Sequence, residues 1–429
     1  MLKVIKIILT VLVTSFYFFP ITFTFLTIAN TKNMMAALGI VFMIIELIKQ
    51  RDFFIPKELL ILLLISSMVS IMSLISISYN ETPDSAYATY IRSAIIWLSG
   101  AFSACYVIRF VHGRIDVPLV VHYLIGVCLF QCASAILIEF IPAVRAFVDS
   151  YVMQGQTLLQ DMGRLYGIGA SLDVSGARMS TVLVAIAFML VSSPQRVSIG
   201  NTILYTLSFV TITIIGCMIA RTTLVGATIG LVWIVIGPYI FPKQENTKEY
   251  TGGKWIAILS TIGALVVTSV ILYNSFPDVQ DLFRFGFEGF FSWAETGEWQ
   301  TASTNTLQNM VVWPEDFRTW IIGDGYFDNA HNDPNFMGEA AQRGFYMGTD
   351  IGYLRFIYYF GVLGLIWMIA VIAYSAFVCA KYLKAYAWIF VMALLVGLVV
   401  WAKVSTDVFL FFAIFLCVAA LQGLEPTKS

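Results

Sequence analysis

Long apolar runs alternate with short polar connections along this chain, and the length of the runs is the length a bilayer demands. About 20 apolar residues at ~1.5 Å rise each cross the hydrocarbon core as a helix. Runs of that kind lie at about 4–29, 33–48, 57–78, 89–108, 117–140, 177–193, 199–219, 222–241, 255–273, 351–378, 385–402 and 405–423. The first is interrupted by Pro20 and the Thr-rich stretch ITFTFLTIAN, and the run at 33–48 is short enough to tilt or re-enter, so the pattern predicts ten to twelve spans. The expected fold is an all-α polytopic membrane protein with about twelve transmembrane helices. Two polar segments, 142–176 and 274–350, exceed what a connection needs, and loops of that size carry function. The chain therefore divides into spans one to nine with the first long loop (1–273), the large loop (274–350), and three last spans with a short tail (351–429).

Composition agrees: 59% of residues are hydrophobic and 12% charged, with a mean hydropathy of +0.83. A net charge of −1 gives no basic surplus for nucleic acid. Six cysteines, all inside apolar runs, imply no disulfide framework. Lys3 and Lys6 ahead of an apolar run resemble a signal peptide, but no small-residue cleavage site follows, so a retained first span is expected.

The position of charge is more informative than its total. With twelve spans and an inner N-terminus, the inner connections hold ten lysines and four arginines, as the positive-inside rule requires, while the outer side holds two lysines and nine arginines. Arginine is the side chain suited to bidentate phosphate recognition. Arg164 and Arg178 flank the end of the first long loop, Arg221 starts the eighth span, and Arg343 and Arg355 bracket Asp350. Singly each reads as an interfacial anchor; jointly, five arginines where positive charge is normally depleted favour an anionic, membrane-embedded partner.

The outer carboxylates include Asp149, Asp161, Asp173 and Asp350. Asp350 at a helix start reads either as a cap or as a catalytic base. His331 lies in the turn-rich GDGYFDNAHNDPN and is the one histidine expected outside, where it could accept a proton from a sugar hydroxyl. No metal site is expected, because Asp328, His331 and Asp333 have no second histidine. Lys403 and Asp407, four residues apart, predict a local ion pair. The aromatic stretch DLFRFGFEGFFSWAETGEW (281–299) suits either a segment lying in the membrane interface or a cap on the bundle.

Three segments taken in order, GRLYGIGASLDVSGARMSTVL (163–183), ARTTLVG (220–226) and GTDIGYLRFIYYFGVLGLI (348–366), resemble the bacterial O-antigen polymerase (Wzy) family. That resemblance implies a GT-C-like bundle in the bacterial inner membrane, related to the O-antigen ligases, with both termini cytoplasmic and the long loops periplasmic. It implies a cofactor-free inverting glycosyltransferase that joins undecaprenyl-pyrophosphate-linked oligosaccharide units, working with membrane lipid, a flippase and a chain-length regulator. Mapped onto this chain, the pyrophosphate-binding arginines would be Arg221, Arg178 and Arg355, with Arg164 and Arg343 next. Tyr353 and Asp173 would lie beside the substrate, and His331 or Asp350 would be the base. An O-antigen ligase, or a lipid-linked oligosaccharide flippase of another class, is the alternative.

Overall fold

In the computed structural model, residues 2–49, 57–154, 159, 163–195, 197–240, 248–328 and 344–422 are described. Each of the twelve apolar runs contains a helix: α1 (Leu2–Phe18), α2 (Thr31–Lys49), α3 (Lys57–Tyr79), α4 (Tyr90–His112), α5 (Val117–Phe140), α7 (Leu172–Val191), α8 (Ile199–Ile219), α9 (Thr223–Ile240), α10 (Lys248–Ser275), α15 (Gly352–Tyr382), α16 (Ala387–Val400) and α17 (Phe409–Leu421). Among the described residues, nine helices are long and apolar enough to cross a membrane. The chain is a multi-pass, predominantly helical membrane protein. A backbone in hydrocarbon must satisfy its N–H and C=O groups internally, which is why these apolar runs are helices. The two long loops contribute α6 (Pro142–Tyr151) and then α11 (Pro277–Gly286), α12 (Glu288–Thr296), α13 (Ala302–Asn309) and α14 (Phe317–Ile322).

One element departs from an all-α fold. The Thr-rich stretch after Pro20 forms strands Thr22–Phe23 and Leu26–Asn30, and Val152–Met153 from the first long loop adds a third strand, giving a small antiparallel sheet. Pro20 ends the helix, and the β-branched residues beyond it favour extended backbone.

Helix α7 is the centre of the bundle, buried without interruption from Ser175 to Val191. Its tightest neighbour is α9. A side chain at Gly226 would collide with the backbone of Ser180, so only glycine permits the approach, and the Gly226 N–H donates to Ser180 Oγ at 3.1 Å. This close crossing carries the start of α9, with Arg221 and Thr222, to the first turn of α7, where Asp173 stands. At the other extreme, α10 turns Ile256, Leu259 and Val267 outward, the surface expected of a helix facing lipid.

The sequence predicts one continuous helix from about 351 to 378. The structure breaks it at Phe360 (φ −138°, ψ 18°) and Gly361 (φ 70°, ψ −177°). The freed carbonyls are satisfied from the large loop: Asp324 N–H donates to Tyr358 O at 2.6 Å and Gly325 N–H to Tyr359 O at 3.1 Å, while Ser76 Oγ–H donates to Tyr359 O at 2.7 Å. Helix α14 presses so closely on the break that a side chain at 361 would collide with the Ile321 backbone. Non-helical backbone is tolerated at such depth because protein encloses it. The break ties the large loop to the transmembrane core.

Candidate functional site

Polar side chains gather at one end of the bundle, where α7, α9 and α15 begin and α16 ends. Three helix N-termini meet there, and each brings the positive end of its helix dipole to the site. Neither Ser171 before α7 nor Ile351 before α15 supplies a side-chain cap. The cap position of α15 is Ile351, so Asp350 stands just outside the helix instead of capping it.

The cluster has a cationic half. Arg221 Nε–H donates to Phe285 O at 2.9 Å and Nη1–H to Ser303 Oγ at 3.1 Å, and Nη2 pairs with Glu288 Oε2 at 2.5 Å. Its guanidinium lies 4.4 Å from the centre of the Phe285 ring. Arg164, arriving from the first long loop, lies 5.2 Å from that same ring and makes no ion pair among the described residues. Burial pushes the Arg221 guanidinium below its ordinary pKa, opposed by Glu288 and reinforced by Arg164. Lys403 completes this half: Nζ donates to Asp173 Oδ1 at 2.7 Å, and Thr222 Oγ1 hydrogen-bonds the same carboxylate. Three cations thus face two carboxylates.

The other half is built on Arg355, only 7% exposed. Its Nη2 pairs with Asp328 Oδ1 at 2.6 Å and donates to Phe327 O at 3.1 Å; its Nη1 stands 3.5 Å from Asp350 Oδ1 and 3.2 Å from Ser405 Oγ. The rings of Phe327 and Phe345 cover the guanidinium at 3.7 and 4.8 Å. Here one cation faces two carboxylates. Burial raises the Asp350 carboxyl to about 6, with Arg355 opposing the rise, Asp173 adding to it and Lys403 opposing it. Asp350 feels both Asp173 and Lys403, so the two halves adjoin. A cluster of cations beside a carboxylate poised near neutrality can hold an anion and accept a proton.

Several predicted residues lie elsewhere. Arg178 turns to the opposite side of α7, where Nη1–H donates to Phe18 O at 2.9 Å and the guanidinium stacks near Phe19 and Trp97 at 5.9 and 5.7 Å. Lys32, over the same Trp97 ring at 4.5 Å, shares this inner cluster. Tyr353 is a strut: its hydroxyl donates to Leu398 O at 2.7 Å and its ring packs edge-on against Trp401. His331, Arg343 and Asp161 lie outside the described residues.

The predicted Lys403–Asp407 pair does not form. Residues 401–407 are not helical, so four-residue spacing no longer juxtaposes side chains; Lys403 goes to Asp173, and Asp407 accepts from Tyr90 Oη–H at 3.0 Å and Phe409 N–H at 2.6 Å. Glu288, Phe285 and Ser303 are members that the charge pattern alone did not single out. The first two come from the aromatic stretch 281–299, which folds as α11 and α12; Gly286 of α11 rests on the Cys217–Met218 backbone at the end of α8.

No family model matches the chain, and comparison with curated proteins finds no match.

Proposed function

We propose that this protein is a surface-polysaccharide polymerase of the O-antigen type, joining undecaprenyl-pyrophosphate-linked oligosaccharides at the periplasmic face of the bacterial inner membrane. The observation that carries the proposal is the convergence of Arg164 and Arg221 on the single ring of Phe285, with Lys403 beside them, at the end of an apolar bundle. Two guanidinium groups repel one another, and bringing both to one ring with a single paired carboxylate suits a ligand of more than one negative charge.

In the reaction, the anomeric carbon of the growing chain loses its bond to the pyrophosphate oxygen and gains one to a hydroxyl oxygen of the next lipid-linked unit. The undecaprenyl pyrophosphate leaves with the bonding electron pair, and negative charge grows on its oxygens as the bond breaks. Arg221, oriented by Phe285 O, Ser303 and Glu288, and Arg164, which has no ion pair among the described residues, stabilise that charge. Preorganised donors of this kind are each worth ~100- to 1000-fold in rate. The hydroxyl proton passes to a base, for which Asp350 has both the position beside the cationic half and a raised pKa of about 6. Arg355 keeps that carboxylate in place.

The test is Arg221→Ala in cells, with polysaccharide length read on a gel at matched protein level. Loss of long chains is expected; normal chains would remove Arg221 from the reaction. A null strain separates the related activities: single-repeat caps on lipopolysaccharide indicate a polymerase, whereas loss of all capped molecules indicates a ligase or flippase.

A further inference from the structure

Beside the cluster, the large loop forms an open groove of about 480 Å³ that the transfer chemistry does not use. Trp313, Tyr326, Tyr346 and Tyr358 supply its aromatic lining. Trp313 is stacked on Trp320 (5.8 Å, 11°) and is 59% exposed, and Tyr326 packs against Tyr346 (5.2 Å), which meets Tyr358 edge-on. The Trp320 indole N–H is tied to Pro314 O at 2.9 Å, so the stacked pair is held rigid. Polar groups rim the aromatic surface. Asp324 accepts from Thr319 Oγ1–H at 2.6 Å and from Arg318 at 3.2 Å, and the exposed Glu315 stands at the mouth.

The groove adjoins the cationic cluster at one isolated β-bridge. Asp328 and Phe345 form a single antiparallel bridge between the two segments. Phe327 and Phe345 cover Arg355, and their chain neighbours Tyr326 and Tyr346 line the groove. One small β-bridge presents aromatic rings to both compartments.

We infer that this groove is a binding subsite for uncharged pyranose units of a saccharide chain. A pyranose has an apolar C–H face that packs on an exposed, rigid indole, and hydroxyls at its edge that need acceptors such as Glu315 and Asp324. Arg318 is shared between Asp316 and Asp324, so with Glu315 the groove carries surplus negative charge, which disfavours phosphate and uronic acids and selects neutral sugars. The inference deepens the proposed function: the sugar lies in the groove and the charged linkage in the cluster.

The experiment presents an array of neutral and anionic oligosaccharides, free of lipid and phosphate, to the full-length protein in nanodiscs. The wild type is expected to retain neutral glycans. Trp313→Ala should weaken retention about tenfold, Trp313→Tyr should restore most of it, and Arg221→Ala should leave it unchanged. Trp313 is largely exposed, so its replacement leaves the fold intact, which a matched melting temperature confirms. The inference is overturned if no neutral glycan binds, if only anionic glycans bind, if Trp313→Ala binds as well as wild type, or if Arg221→Ala abolishes binding. Retained neutral-glycan binding with normal polymer in the Arg221→Ala strain would sink the proposed reaction and leave the groove standing. The reverse pattern would sink the groove alone.

Discussion

Arg221 and Arg178 stand at the same end of the bundle, yet their surroundings differ in kind. Arg221 is held by a carboxylate, a hydroxyl, a carbonyl and a ring, and sits beside a second arginine at the mouth. Arg178 is 9% exposed, pairs with no carboxylate among the described residues, and spends its one hydrogen bond on the Phe18 carbonyl at the end of α1. A partly exposed guanidinium oriented on several sides beside a second arginine is arranged to meet a ligand. One buried between α1, α4 and α7 braces helices. An unusual charge in an apolar run thus acquires its meaning from which side of the helix it occupies.

The sharpest test of this contrast is the pair Arg221→Ala and Arg178→Ala. The first is expected to lower polymer synthesis by ~100- to 1000-fold with protein level unchanged. The second is expected to lower protein level and melting temperature, because its removal leaves the Phe18 carbonyl unpaired in the interior and a cavity beside Trp97. If purified Arg178→Ala folds normally and fails to polymerise, the division between mouth and brace is wrong.

Arg221→Lys sharpens the point at smaller amplitude. Lysine keeps the charge but cannot reach Phe285 O, Ser303 and Glu288 together, so a loss of about tenfold in chain-elongation rate is expected, measured with purified lipid-linked units. Equal rates would mean that charge alone matters there.

Lys403 and Asp173 extend the comparison to an ion pair. Lys403→Met leaves Asp173 charged and largely buried, at a cost on the order of 3 kcal/mol. Adding Asp173→Asn should recover most of that loss in a thermal melt. Additive effects would show that the two side chains do not depend on each other.

Asp350 gives the smallest effect on stability and a distinct one on rate. Its carboxyl takes a proton at about 6 in the fold, against ~3.9 in an unfolded chain, so the native state loses stability as pH rises from ~4 through 6. Asp350→Asn removes that loss: its melting temperature should exceed that of wild type by roughly a few degrees at pH 7.5 and match it at pH 4. The rate of the wild type should climb with pH through about 6, and Asp350→Asn should abolish that limb. An unchanged profile would remove Asp350 as the base.

The twelve apolar runs determined where helices form, because lipid offers the backbone no partner and a helix supplies one locally. The charges at the ends of the apolar runs, Arg221 and Asp350 among them, were equally legible, since charge placement is written residue by residue. Tertiary structure alone decided the rest. The break at Phe360–Gly361 depends on donors from Asp324 and Gly325 in another segment, and Lys403 chose Asp173, 230 positions away, over Asp407, four away. Arg178 left the company of Arg221 because a helix turns 100° per residue, a rotation that hydropathy does not register against neighbours it cannot see. Local rules govern what the backbone does; which side chains meet depends on how the helices cross.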